Sequence, residues 1–282
     1  MNDMWNDLLD CLDLHDLTPG EASPDPSRED GKGPALTVFE GRNQKLSYHR
    51  VFGGQILAQF ARAAALVTPG KAVKSLHVLF PRAGRSDEPI RFEVERHHEG
   101  GTFATLGITA RQSKGVVATA SVSLHSAEDG PDHQTVPAAS GPIGEEHRAD
   151  FDLIPWETRA DVDLNSPKSS PPQLDVWMKT PPVGAEFAPG LTAYATDLNL
   201  IGTALLPVEN VSQRDAQKAF TSAVTSHTLW FHRPFRCDEW LLLRQHSPIL
   251  AHGRCFGRGD VLTADGGLVA SFAQEALLRF AE

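Results

Sequence analysis

The sequence predicts an α+β fold made of two fused copies of one helix-plus-antiparallel-sheet unit, and three observations point there. The first is repetition. Phe80 and Arg82 in LFPRAG recur as Phe231 and Arg233 in WFHRPF, and Asp87 and Glu88 recur as Asp238 and Glu239, all at an offset of 151 residues. KGVVATAS, from Lys114, recurs as GGLVASFA, from Gly266, at an offset of 152. Self-similarity of this kind marks a duplicated unit. The second is order, since in each copy one segment of helical period precedes several strand-like runs. The third is size: 282 residues, 40% of them hydrophobic, suffice for two small cores. A lone helix ahead of consecutive antiparallel strands must bury its apolar stripe on their sheet, which gives the α+β layer.

The elements follow in chain order. Trp5, Leu8, Leu9, Leu12 and Leu14 lie close to one helical stripe, predicting a short helix within residues 1–16. Residues 20–34 are Pro, Gly and charge, so 1–34 reads as a helix with a loose connector. A first unit occupies 35–125. Its helix, Gly53 to Val67, carries Ile56, Phe60, Ala63, Ala64 and Val67 on one face, and strands are expected near 72–82, 88–98, 103–113 and 116–125. Residues 126–172 turn polar and proline-rich and read as a linker, with one strand expected inside DFDLIPWETR. A second unit occupies 173–282. Leu191, Tyr194, Leu198, Ile201 and Leu205 repeat at three and four, predicting a helix over 192–205, followed by strands near 221–234, 238–247, 250–263 and 267–280.

Charge and motifs exclude several functions. Acidic residues outnumber basic ones 36 to 26, a net charge of -10, which argues against a sequence-independent grip on nucleic acid. No apolar run approaches the roughly 18 residues of a membrane span. The N-terminus is acidic where a secretory leader is basic. The three cysteines form no CxxC pair and cannot all be paired, as expected of a reducing cytoplasm. GxSxG, HExxH, GxxxxGK[ST] and GxGxxG are absent, so covalent serine catalysis, zinc hydrolysis and nucleotide cofactors lose ground. His97 and His98 are strand neighbours pointing to opposite faces and cannot chelate one metal. No metal and no cofactor is expected.

Where the copies differ, chemistry is sought, because a buried polar group costs free energy unless it finds partners. Gln274 stands where the first copy has Val122 and shares a strand face with Leu268, Ala270, Phe272 and Leu278. It is either a site residue or a core glutamine satisfied by backbone or solvent. Asp197 follows Tyr194 by three and precedes Ile201 by four, bordering the helical stripe. It is either a site carboxylate facing the sheet edge or a solvated flank or cap. Together a carboxylate and an amide or hydroxyl can hold a water in line with a carbonyl carbon, which describes hydrolysis without a covalent intermediate.

RVFGGQILAQ from Arg50, SLHVLFPRAG from Ser75, ATDLNL from Ala195, HTLWFHRPFRCDEWLL from His227 and ASFAQEALLR from Ala270 together resemble the acyl-CoA thioesterase II family, the TesB-like double hotdog proteins. The resemblance spans nearly the whole chain in order. It implies two fused hotdog units, a long helix wrapped by an antiparallel sheet in each, hydrolysing acyl-CoA to free acid and coenzyme A. It implies that Asp197, Gln274 and a hydroxyl of the second unit hold the attacking water. The family's hydroxyl stands six residues before the Trp of WFH, where this sequence has Val224. Thr225 takes that role if a bulge shifts the register, and Ser226 if strand alternation is kept. The thioester oxygen is expected at backbone N–H groups of a helix N-terminus. Gly53 and Gly54 either let a ligand approach there or pack helix on sheet. Arg82, Arg233 and Arg254 are candidates for the coenzyme A phosphates. A non-catalytic acyl-CoA-binding protein of the same fold is the alternative function. An exposed sheet edge in each unit makes a homo-oligomer the expected assembly.

Overall fold

The computed structural model describes residues 2–18, 36–48 and 50–281; the connector expected at 20–34 lies outside the described residues. Helix α1 (Asn2–Leu12) buries Trp5, Leu8 and Leu12 as its stripe requires. Strand β1 (His15–Asp16) pairs with β2 (Leu36–Gly41), two short elements whose periodicity is too brief to read in sequence. Helix α2 (Gly53–Val67) is followed by β3 (Ala72–Leu79), β4 (Ile90–Glu99), β5 (Phe103–Gln112) and β6 (Gly115–His125). The second half runs β7 (Glu157–Ala160), β8 (Gln173–Lys179), α3 (Ala188–Thr196), α4 (Leu200–Leu205), β9 (Phe220–Phe231), β10 (Leu241–Ala251), β11 (Arg254–Thr263) and β12 (Leu268–Phe280).

The strands form one antiparallel sheet in the order β1-β2-β4-β5-β6-β3-β9-β12-β11-β10-β8-β7. Its seam, β3 against β9, is self-complementary. Ser75 pairs with Trp230 and Leu79 with Ser226, centred on His77 opposite Thr228. At the repeat offset Ser226 is the counterpart of Ser75, and Trp230 that of Leu79, so the fused chain reproduces the two-fold interface of a homodimer. The register irregularities repeat as well: Lys74 is skipped in the pairing of β3 with β6, and Thr225, its counterpart, in the pairing of β9 with β12.

Because β3 and β9 cap each other, the edge expected to be free in each unit is consumed at the seam. The remaining edges are the short strands β1 and β7, a common way of limiting edge-to-edge association. The second helix is not continuous over 192–205. It stops at Thr196, turns through Asp197 to Asn199, and restarts as α4, where the Asn199 carbonyl accepts from Thr203 N–H at 2.8 Å. Asp and Asn bond nearby backbone and are poor helix-interior residues, so TDLN is where the break falls. Past it, Leu200 packs over β11 at Gly257, where a Cβ would come within 2.5 Å of Leu200 Cδ2. The segment 126–172 is not loose either. Gln134 bonds Gly266 O at 2.8 Å and Leu268 N at 2.9 Å, and Trp156 and Leu164 are buried. Trp156 stacks edge-on to Trp5 at 6.1 Å and lies 5.7 Å from Tyr194, tying α1 to α3.

Helices α2 and α3 cross at a pair of glycines. A Cβ on Gly54 would lie 2.5 Å from the Tyr194 carbonyl oxygen, and one on Gly190 would lie 3.3 Å from that of Ala58. The expected outcome of Gly54→Ala is therefore overpacking, a loss of roughly 1–3 kcal/mol. Thermal unfolding of the variant checks this, and an unchanged midpoint would contradict the contact.

Candidate active site

A cavity of about 870 Å³ opens between the N-terminus of α2, the α3–α4 break and the start of β9, with Phe52, Gly53, Phe80, Asp197, Ile201, Val224, Thr225 and Leu277 among its walls. Stretches 148–153 and 160–165 close one side, so the packed linker shapes it. Arg50, Arg82, Arg148 and Arg214 also reach its surface.

Asp197 is the buried charge of this cavity, with only 4% of its surface exposed. Its Oδ2 lies against Gly53, where a Cβ would sit 2.7 Å away, so only glycine leaves room for the carboxylate at the start of α2. Burial pushes its pKa up from 3.8 to about 7, while the Gly54 backbone N–H and the nearby Arg50 charge hold it down. Oδ1 has no hydrogen-bond partner. A carboxylate that titrates near neutrality, with a free oxygen at a cavity wall, is suited to general-base work.

Gln274 is reached through a histidine. His227 lies opposite Gln274 on β9 and β12, fully buried, its ring stacked 6.3 Å from Phe272. Its Nδ1 is 2.8 Å from Gln274 Oε1 and 3.8 Å from Asp197 Oδ1, and its Nε2 is 3.0 Å from Thr196 Oγ1. Burial lowers its pKa to about 4, with Gln274 opposing the shift, so the ring is neutral. Gln274 Nε2, like Asp197 Oδ1, is buried without a partner. Asp197 and Gln274 thus meet at one imidazole nitrogen, each with one buried atom left unpartnered.

The bulge decides which of the two hydroxyl residues lines the cavity. Val224 pairs with Ala276 and Ser226 with Glu275, leaving Thr225 outside the ladder. Thr225 lines the cavity with Asp197 and donates its hydroxyl to Glu275 O at 3.0 Å. Ser226 shares the face of Glu275, opposite that of Gln274, and does not line the cavity. The expectation that Ser226 keeps the face of position 224 fails because the extra residue reverses alternation there.

The structure brings Asp197, Gln274, Thr225, Gly53 and Arg82 together around or behind one cavity. It does not bring Arg233 or Arg254. Arg233 is held by Asp132 and Gln134, and Arg254 by Glu275 at 3.1 Å on the face away from Gln274. Gly54 is used for helix packing, and its N–H is engaged by Asp197, while Gln55 N–H is bonded to Phe52 O at 3.1 Å.

The sequence reading passed over His227, Thr196 and Arg50. His227 carried the same signal that exposed Gln274, for at the 151 offset its counterpart is Leu76, and Leu76 pairs with Val122 as His227 pairs with Gln274. Arg50 bonds Ser222 O at 2.8 Å beside the cavity, a contact with no sequence signature. The matching place in the first copy is wholly apolar. Pairing Gly54 with Gly190 aligns Asp197 with Ala61, and Ala61, Leu76 and Val122 are all buried. Among the described residues no cluster of His, Cys, Asp and Glu could hold a metal ion.

Comparison with known proteins agrees with this two-part chain. Residues 44–125 match a family model described as the acyl-CoA thioesterase N-terminal domain, and residues 126–278 match one described as the acyl-CoA thioesterase C-terminal domain. The chain is similar to acyl-CoA thioesterase 2 of Haemophilus influenzae, 32% identical with 100% of both chains covered. It is also similar to human acyl-coenzyme A thioesterase 8, 29% identical over 86% of this chain and 84% of that one. The crystal structure of an acyl-CoA thioesterase II, TesB2, from Mycobacterium marinum superposes with a TM-score of 0.74 at 30% identity, covering 98% of each chain.

A buried carboxyl with a raised pKa is a stability cost at high pH. The folded state holds the proton that the unfolded state gives up, so this contribution falls as pH rises from 3.8 through about 7. Asp197→Asn is therefore expected to unfold at a higher temperature than the parent at pH 8, the gap closing toward pH 4. Thermal melts of the pair across this range check it, and a pH-independent gap would contradict the raised pKa.

Proposed function

Since this chain belongs to the acyl-CoA thioesterase family, we propose that it hydrolyses acyl-CoA to free acid and coenzyme A with a water activated non-covalently at Asp197. It is a thioester hydrolase of the double hotdog, TesB-like kind. We assign residues 35–125 to the first hotdog and 173–282 to the second, which carries the catalytic side chains.

The observation that carries the mechanism is the buried Asp197 carboxylate at the cavity, whose Oδ1 has no hydrogen-bond partner and lies 3.8 Å from the His227 nitrogen that also meets Gln274. Ionised Asp197 takes a proton from water as the water attacks the thioester carbonyl carbon. The tetrahedral intermediate then collapses, expelling the coenzyme A thiolate, which takes the proton back from Asp197 and so restores the carboxylate. Gln274 holds the reacting groups in line, and Thr225 adds a hydroxyl from the bulge where Val224 has none. Arg82, which has no ion-pair partner among the described residues, and Arg50 supply positive charge for the coenzyme A phosphates. Phe52, Phe80, Ile201 and Leu277 supply apolar wall for the acyl chain.

Two further readings rest on less. The three cysteines are buried and unpaired, which supports a reducing, cytoplasmic setting; among the described residues no helix is long and apolar enough to cross a membrane. Leu79 is 61% and Trp230 41% exposed at the seam, which supports self-association through the outer sheet face.

Release of free thiol from a panel of short, medium and long acyl-CoAs tests the function. Binding without turnover for every chain length would favour the acyl-CoA-binding alternative. Asp197→Asn is expected to lower kcat by about 10²–10⁴-fold, the contribution of a general base. For the parent, kcat/KM should rise with pH through about 7 as Asp197 ionises. A profile flat from pH 5 to 9 would remove Asp197 from the base role.

A further inference from the structure

Arg50, three residues ahead of helix α2, is pinned in the cavity wall rather than left to solvent. Its Nη2–H donates to the Ser222 carbonyl of β9 across 2.8 Å, its Nε–H donates to the Tyr48 hydroxyl across 3.1 Å, and the guanidinium lies 5.6 Å over the Tyr48 ring. A planar guanidinium held in this way keeps its charge in one place. That place is close to Asp197. The carboxylate lies against Gly53, 2.7 Å from where a Cβ would stand, and three trans peptides put the Arg50 and Gly53 Cα atoms at most about 11 Å apart. The Arg50 charge reaches Asp197 and opposes the burial that raises its pKa. The duplication adds an independent observation. The pairing of Gly54 with Gly190 that aligns Asp197 with Ala61 also aligns Arg50 with Glu186. Where one helix carries the carboxylate, the facing helix start carries a cation; where it carries alanine, the facing start carries an acid.

We propose that Arg50 is a positioning residue of the hydrolysis, a fixed cation from the first copy that keeps the Asp197 carboxylate of the second ionised and ready to take a proton from water. Few other charges reach this carboxylate. Helix α2 brings the Gly54 N–H, α3 brings Tyr194, whose hydroxyl burial keeps protonated, and β9 brings His227, whose ring burial keeps neutral at pH 7. Gln274 of β12, behind the ring, is uncharged. Arg82, Arg148 and Arg214 line the same cavity, as do Asp150, Asp152, Asp161 and Asp163 of the linker, but all seven are exposed and screened by water and salt. Arg50 is half-buried, so its field is screened less. The sign of the effect follows. Without this cation the carboxylate holds its proton to higher pH, and less of the enzyme carries its base at neutrality. The same charge serves coenzyme A phosphates on its outer side, and the two roles differ in which substrates register its loss.

The rising limb of kcat/KM against pH reports the base of the free enzyme and so reads this role directly. Two substrates separate it from phosphate binding: an acyl-CoA, and the same acyl group on N-acetylcysteamine, which has the thioester and no phosphate. Arg50→Gln is expected to move the limb upward by about half to one pH unit with both substrates, roughly a three- to tenfold loss at pH 6 that closes toward pH 9. Arg50→Lys keeps the charge and is expected to hold the limb near its parent position. Arg50→Met, which retains the stem over Tyr48, replaces the glutamine variant if that one does not fold. A limb unmoved in the uncharged variants, or moved with acyl-CoA alone, overturns the proposal. So does an equal loss at every pH, which is what a slackened contact with β9 would give. The inference rests on the thioesterase reading with Asp197 as its base, and the two failures are distinguishable: a parent without turnover, or with a flat profile, sinks that reading, whereas a parent limb near pH 7 that ignores Arg50 sinks only the role given to Arg50.

Discussion

Where helix α2 crosses helix α3, a glycine on each side lets backbone approach backbone, with no room for a Cβ on Gly54 against the Tyr194 carbonyl. Much else in the structure depends on this approach. It brings the residues after Tyr194 to the N-terminus of α2, so that a carboxylate from the second copy is seated by a helix of the first. It also sets the aromatic column in which Phe52 lies 4.9 Å from Tyr194 and Trp156 lies 5.7 Å from it. That column fixes the packed linker against both helices and thereby one wall of the cavity. The site is composite in the sense that matters chemically: neither copy holds it alone.

Duplication provided two such places, and only one carries polar chemistry. In the first copy Ala61, Leu76 and Val122 make an apolar core; in the second, Asp197, His227 and Gln274 occupy the matching positions. The substitution is costly, because unsatisfied buried polar groups lose hydration without full repayment. Here the groups are partly paired with one another, and two atoms are left over, one acceptor and one donor. Leftover polar atoms beside a cavity are what a reacting water would satisfy, so the residual strain and the chemistry have one origin. With its matching place filled by apolar side chains, the first copy offers a scaffold and a helix start.

The same economy explains the bulge. Both copies skip one residue near the start of their seam strand, Lys74 in one and Thr225 in the other. In the first copy the skipped side chain reaches out, its ammonium 4.9 Å from the Phe103 ring. In the second it turns to the cavity. An inherited irregularity of the backbone thus sets which side chain of the Val224, Thr225, Ser226 run lies at the cavity wall.

The sequence by itself determined the duplication, the helix-then-strands order of each copy and most strand positions, because repeat offsets and hydrophobic period survive in one dimension. It also marked Asp197 and Gln274, since a polar residue on an apolar period is visible without coordinates, and the same comparison against Leu76 would have marked His227. Short pairings such as β1 with β2 and the packing of 126–172 left no period to read. The break at Asp197, the face given to Thr225 over Ser226, the engagement of the Gly54 N–H and the capture of Arg233 and Arg254 by carboxylates were decided only by the tertiary structure. Each depends on which backbone approaches which, and a bulge or a helix crossing shifts side chains by amounts that no spacing in the chain encodes.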